Sequence, residues 1–290
     1  MRVATHSGPF HADDVLAWGL IRAFVAADAT LVRTRDPKIL AGADIVFDVG
    51  GIFDPDTMRF DHHQSSYTGA RSSAGMVVDW LADTGRVTQG LADVLRTRAA
   101  DYVDDVDNGR RETDPTVPCF ATMVEAHNRG AESLDAFDAQ FRLAGDMATV
   151  WVKGMAAGHA EEEAARAVIG SAMKDAEDRG SNVIVLETYV RWKPAYFEAG
   201  GETHPTDFVA HPGPDGSWRA LAIPPVAGSF AQKCPLPEAW AGLVDGELVA
   251  ASGVPGARFC HKNRFILVCD DRASLVAALH ASGLIRGTLA

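Results

Sequence analysis

With 290 residues, 47% of them hydrophobic, the chain can bury a sizeable core and is long enough for two domains. Its start, Met1 to His6, runs into a strand-like segment without an apolar leader, and no apolar run approaches the roughly 18 residues of a membrane span, so a cytoplasmic location is expected. A net charge of −12 argues against extended duplex nucleic acid as a partner, but not against a short or single strand reaching a locally positive cleft or bound metals.

Arg2 to Thr5 reads as a short strand ending in a polar loop. Asp13 to Ala27 reads as a helix, with Val15, Leu16, Leu20, Ile21 and Phe24 spaced for one apolar face. Thr30 to Thr34 is a second strand and Asp36-Pro37 a helix start. Ala43 to Val49 is a mostly apolar strand of the type buried on both faces of a parallel sheet. Gly50-Gly51 breaks it, Met58 to Asp61 is a further short strand, and Ser73 to Leu81 and Leu91 to Val106 are helical. From Thr116 to about Gly180 the pattern stays helical, with packing stripes through Phe120, Met123, Val124, Phe137, Phe141, Met147, Val150 and Trp151. Asn182 to Leu186 then opens a second α/β region. Strands are expected around Asp207 to Ala210, Ser217 to Ile223, Arg258 to Cys260 and Arg264 to Cys269, before a closing helix from Arg272 to Ala281. The Gly/Pro-rich segment Gly200 to Gly216 reads as an exposed connection. Cys119, Cys234, Cys260 and Cys269 form no Cys-x-x-Cys pair and read as buried thiols, not as a zinc ribbon or disulfide frame. The class expected is α/β, with a parallel sheet in the N-terminal domain.

Four of the ten histidines lie in the first 63 residues, among acids. Imidazole and carboxylate together are the ligand set of a divalent transition metal. His6 and His11 flank Ser7-Gly8-Pro9-Phe10, a segment that can turn sharply, and Asp13 and Asp14 follow at a helix start, where one acid serves equally as an N-cap. Asp48 follows the apolar Ile45-Val46-Phe47; a carboxylate there needs a hydrogen-bonded turn or a cation. Beside Asp61-His62-His63 it has the position of a ligand shared by two ions. His6, Asp48 and Asp61 all lie just beyond expected strand ends, where sites in parallel sheets collect. Oxygen and imidazole donors favour two manganese ions, with magnesium or another divalent ion as alternative. In Asp101 to Gly109, Asp104 shares a helical face with Asp107 or Asn108, and carboxylates at a helix C-terminus call for compensation.

The segments Thr5 to Asp14, Asp48 to Gly51, Arg59 to Gln64 and Val103 to Gly109 resemble the successive motifs of the melanocyte-proliferating-gene family, a branch related to the DHH phosphoesterases. Arg191-Trp192-Lys193, Cys234 to Trp240 and Phe259 to Phe265 extend the resemblance over nearly the whole chain. It implies a two-domain metal-dependent phosphoesterase: residues 1–180 as the DHH-like catalytic domain with a helical connection, and 181–290 as a smaller α/β substrate-binding domain. It also implies, from a eukaryotic branch, exonuclease action on RNA from the 3′ end. Two features depart from the wider superfamily. Phe10 stands where an aspartate is usual, with His11 next to it, and the second domain lacks a Gly-Gly-His signature.

On that resemblance His6, His11 and Asp48 hold one ion, and Asp13, Asp48, His62 and Asp104 the other, with no role given to Asp14 or Asp107. Metal-activated water attacks phosphorus, and Asp13, Asp48 and His63 carry the chemistry. His63 faces substrate, and Arg71, Lys233, His261, Lys262 and Arg264 are candidate phosphate holders. The expected substrate is a phosphate ester such as short or single-stranded RNA, with Trp192, Tyr196, Trp218 and Phe259 able to stack bases if exposed. A pyrophosphatase-like hydrolase and a non-catalytic metal-binding protein are the alternatives, and a homodimer is left open.

Overall fold

The computed structural model describes residues 1–114 and 116–289. The fold is mixed α/β, with two sheets and many helices. Two compact units divide the chain, Met1–His159 and Ala160 onward.

In the first unit the strands are β1 (Arg2–Thr5), β2 (Thr30–Arg33), β3 (Ile45–Phe47), β4 (Phe53–Asp54) and β5 (Arg59–Phe60). They form one sheet in the order β2-β1-β3-β5-β4, parallel except for the edge strand β4. Apolar residues on both faces of β3, all buried, suit this central parallel position. The helices are α1 (Ala12–Phe24), α2 (Pro37–Ala41), α3 (Ser73–Asp83), α4 (Gln89–Leu95), α5 (Asp101–Asp107), α6 (Phe120–Asn128) and α7 (Leu134–Asp178), the last running on into the second unit. Leu16, Leu20 and Ile21 of α1 pack with Val77 and Leu81 of α3, and with Phe47, Phe60 and Phe141, in one buried cluster.

Because β1, β3 and β5 are parallel neighbours, their carboxyl ends open on the same edge of the sheet. His6 follows β1, Asp48 follows β3, and Asp61-His62-His63 follows β5, so three short segments far apart in sequence are delivered to one rim.

Leu91 to Val106 is not the continuous α-helix expected. A π-helical turn, Arg96–Ala100, separates α4 from α5 and resets which residues of α5 face the rim. Edge strand β4 and helices α8 (Trp192–Glu198) and α9 (Asp245–Ser252) lie outside the elements expected from sequence, since each is short.

The second unit's sheet runs β6-β7-β8-β10-β9, from β6 (Val183–Val185), β7 (Phe208–Pro212), β8 (Trp218–Ala222), β9 (Ala257–Cys260) and β10 (Ile266–Cys269). Only the β6-β7 pair is parallel. One face is covered by α9 (Asp245–Ser252) and α10 (Arg272–Ala281), through Leu248, Leu275 and Leu279. The other packs Ile184, Val209 and Ile223 against Ile169 and Met173 of α7 and Trp192 and Tyr196 of α8 (Trp192–Glu198). Buried β7 lies within Gly200 to Gly216, so that segment is not an exposed connection. The cysteines are free, but only Cys260 and Cys269 are buried; Cys119 and Cys234 are half-buried.

Candidate metal centre

Five carboxylates and four imidazoles meet at the rim. His6 Nε2 lies 3.0 Å from Asp14 Oδ2 and 3.2 Å from Asp48 Oδ2. His62 Nε2 lies 3.2 Å from Asp107 Oδ2, 3.4 Å from Asp48 Oδ1 and 3.7 Å from Asp13 Oδ2. Three groups have ligating atoms close enough to share an ion: His6-Asp14-Asp48, His11-Asp13-Asp107 and Asp48-His62-His63. Asp48 belongs to two of them, through different oxygens.

The backbone prepares these positions. Asp48 adopts φ 56°, a left-handed conformation that a non-glycine residue holds only under local constraint; its N–H donates to the Phe60 carbonyl at 3.0 Å. Gly8, at φ 89°, turns the loop between His6 and His11. That loop is clamped from outside. Asn128 accepts from Phe10 N–H at 3.1 Å and donates to the Phe10 carbonyl at 2.7 Å, while Arg33 donates to the Gly8 carbonyl at 2.7 Å and to Asp138 at 2.9 Å. His11 and Asp14 form a capping box at the start of α1, with His11 N–H donating to Asp14 Oδ1 at 3.0 Å. Sequence reasoning missed Arg33 and Asn128 because each acts on a segment distant in the chain.

Asp61 holds the chain around it rather than joining these groups. It accepts from Gly51 N–H at 2.6 Å, from His63 N–H at 3.1 Å and from His63 Nδ1 at 2.8 Å, so it aims the exposed His63 ring.

The electrostatics of the cluster suit a bound cation. Both oxygens of Asp13, Asp14 Oδ2 and His62 Nε2 are buried without a hydrogen-bond partner, despite their close neighbours. Buried polar atoms are rarely left so. Burial raises Asp13 well above the usual carboxylate range, and Asp48, Asp107 and Asp14 push it further. Burial would lower His6, but Asp14 and Asp48 override it and hold the ring up to about 10. Burial would raise Asp48, yet His6 and His62 keep it far below the usual range. Imidazoles are thus compensating acids in the place a divalent ion would take, and the donor set of carboxylate oxygen and imidazole nitrogen fits such an ion.

Of the expected ligands, the structure brings together His6, His11, Asp13, Asp48 and His62, with His63 beside them. Asp104 does not reach the cluster. Its Oδ1 accepts from Ser72 N–H (3.0 Å), Ser72 Oγ–H (2.7 Å) and Gly75 N–H (3.1 Å), and Oδ2 accepts from Arg71 (3.2 Å). A Cβ on Gly75 would lie 2.1 Å from Asp104 Oδ2, so glycine is what admits this carboxylate to the first turn of α3. The α5 acid at the cluster is Asp107, and Asp14 joins it from α1.

The expected phosphate holders are also placed. Arg71 is committed to Asp79, Asp101 and Asp104, which raise its pKa against burial. Lys233 donates to Tyr196 Oη, the Gly201 carbonyl and the His204 carbonyl at 3.1, 2.6 and 2.9 Å. Both cations are therefore engaged by partners within their own unit. His261, Lys262 and Arg264 sit in the turn between β9 and β10, where Arg264 has φ 59° and His261 Nδ1 accepts from Asn263 N–H. Trp192 and Tyr196 are buried in the core, whereas Trp218 and Phe259 are half-buried.

A parallel α/β sheet whose strand ends converge on a dense His/Asp cluster defines an α/β protein with a candidate ion site at its rim. Residues 2–282 match the MYG1 exonuclease family model, described as "Uncharacterised protein family (UPF0160)", and the chain belongs to that family. It is 36% identical over 283 residues to the MYG1 protein of Chlamydia trachomatis, covering 96% of this chain and 95% of that one. It is 32% identical over 304 residues to the MYG1 exonuclease of Homo sapiens, covering 91% of this chain and 81% of that one. Among solved structures, a Vibrio pGpG-specific phosphodiesterase aligns over 97% of this chain and 99% of its own at 13% identity, with a TM-score of 0.34, too low for its shape to bear on function.

Proposed function

We propose that this chain is a divalent-metal-dependent phosphodiesterase of the DHH type that removes nucleotides from the 3′ end of short or single-stranded RNA. The observation that carries the reading is the set of four buried atoms without hydrogen-bond partners, on Asp13, Asp14 and His62, at the convergent strand ends. The exonuclease name of the human relative supports the nucleic-acid substrate. His6, His11, Asp13, Asp14, Asp48, His62 and Asp107 would hold two ions, manganese first, with Asp48 shared between them. Divalent ions there would neutralise phosphoryl oxygens and make water a nucleophile near neutral pH.

The chain's own groups do the rest. Asp61 holds His63 Nδ1, which leaves Nε2 of an exposed ring to meet a phosphoryl oxygen. The strained turn at Asp48 fixes its two oxygens toward different imidazoles before substrate arrives, and the Asn128 and Arg33 clamps hold the His6–His11 loop in register. Among the described residues no helix is long and apolar enough to cross a membrane, and the cytoplasm is the proposed location.

The test is incubation of manganese-loaded protein with end-labelled oligoribonucleotide, oligodeoxyribonucleotide, dinucleotide and pyrophosphate. Mononucleotides released stepwise from the 3′ end of RNA are expected. Release of orthophosphate from pyrophosphate alone would overturn the exonuclease reading in favour of a small-phosphate hydrolase. Asp48→Asn should lose turnover together with bound manganese.

A further inference from the structure

A cavity of about 670 Å³ opens beside the cluster, and two of the candidate ligands, His11 and Asp107, form part of its wall. The apolar surface open to the cavity comes from Pro9, Val106, Ala121 and Phe137, with Phe10 and Val103 buried behind it, and its rim is polar, with Asn128 and the Glu125–Arg129 ion pair. Sites for small organic ligands have this size, on the order of 300–1,000 Å³, and this make-up of apolar walls with a few polar groups. A free phosphate or pyrophosphate has no apolar surface to place there. A nucleoside has: a flat base whose faces are apolar and whose edges seek donors and acceptors.

We infer that this cavity receives the nucleoside attached to the scissile phosphate, so that the phosphate itself lies at the His11 and Asp107 side of the cluster. The inference rests on the phosphodiesterase reading and adds to it a place for one base. Glu125 at the rim accepts hydrogen bonds from an exocyclic amino group, and the half-buried Phe137 offers an apolar flank. Ala121, also on the wall and half-buried, is the place to fill the space without touching a candidate ligand.

The experiment compares wild type with Ala121→Trp and the milder Ala121→Leu. Two substrates are used: a 5′-phosphorylated adenylyl dinucleotide, and methyl p-nitrophenyl phosphate, which is a diester without a nucleoside. The preference for the dinucleotide, as a ratio of kcat/KM values, should fall about tenfold or more in Ala121→Trp, chiefly through KM, and by an intermediate amount in Ala121→Leu. An unchanged ratio in both variants would overturn the inference. Equilibrium titration with a 2-aminopurine dinucleotide reads the cavity independently of turnover: affinity should weaken in the same order, and equal affinity in all three proteins would overturn it. Weakened binding in the variants with no diester hydrolysed by the wild type would sink the phosphodiesterase reading and still place a nucleotide in the cavity.

Discussion

Asp13 has two buried oxygens, no hydrogen-bond donor, and Asp48, Asp107 and Asp14 acting on it. Its pKa is raised in the folded chain, so its contribution to stability is present at low pH and is lost as pH rises through that raised value. In metal-free protein near neutral pH, Asp13→Asn should therefore stabilise the fold, by about 2 °C or more in Tm, which is roughly what 1 kcal/mol is worth in a chain of this size. The gain should shrink as pH falls toward the ordinary carboxylate range, and a manganese-induced rise in Tm should disappear in the variant. Differential scanning calorimetry in chelator reads both, and a lower Tm for the variant throughout would show that Asp13 is not a cation-seeking group. The pairing of His63 with Asp61 is a residue-scale matter too. Asp61→Asn should leave His63 free to swing and lower kcat more than manganese affinity, measured by kinetics beside metal titration. Sequence showed both residues as members of one run, but not that Asp61 turns inward to orient its neighbour.

At the scale of elements, α5 presents two acids one helical turn apart, and the structure gives them opposite work. Asp104 serves the first turn of α3 and Arg71, whereas Asp107 faces His62 and His11. Asp104→Asn should cost stability, on the order of 1–3 kcal/mol because buried donors lose a charged acceptor, with manganese stoichiometry kept. Asp107→Asn should do the reverse. Urea denaturation beside metal titration separates them, and loss of an ion in Asp104→Asn with unchanged stability would reverse the assignment. Gly75→Ala should reproduce the Asp104 phenotype, since its Cβ would occupy the place of the carboxylate. Helical spacing showed that Asp104 shares a face with Asp107 or Asn108. It carried no information on the π-helical turn, Arg96–Ala100, before α5.

For the whole molecule, a net charge of −12 and a rim dense in buried carboxylates favour the binding of cations over anions. Manganese at a hundred times its Kd should stabilise the fold by about 2.7 kcal/mol, and EDTA should remove the effect; a Tm indifferent to divalent ions would refute the metal centre. Without divalent ions the like-charged protein should bind single-stranded RNA only weakly, and manganese should restore binding in fluorescence anisotropy, with affinity falling as salt rises.

The sequence alone determined the α/β class and which histidines and acids follow the strands that meet at the rim. Apolar runs bounded by Gly and Asp mark the parallel strands, and a histidine or acid immediately after each run must emerge at the strand's carboxyl end, because chain direction and strand period are local properties. Only the tertiary structure decided which charges remain available. Arg71, Lys233 and Asp104 looked as free in sequence as Asp107, but each is held by partners that long-range packing supplies: three acids around Arg71, carbonyls around Lys233, and the start of α3 around Asp104. A charged side chain's role depends on what desolvates and pairs it, and those neighbours are set by the fold rather than by the residue's own position in the chain.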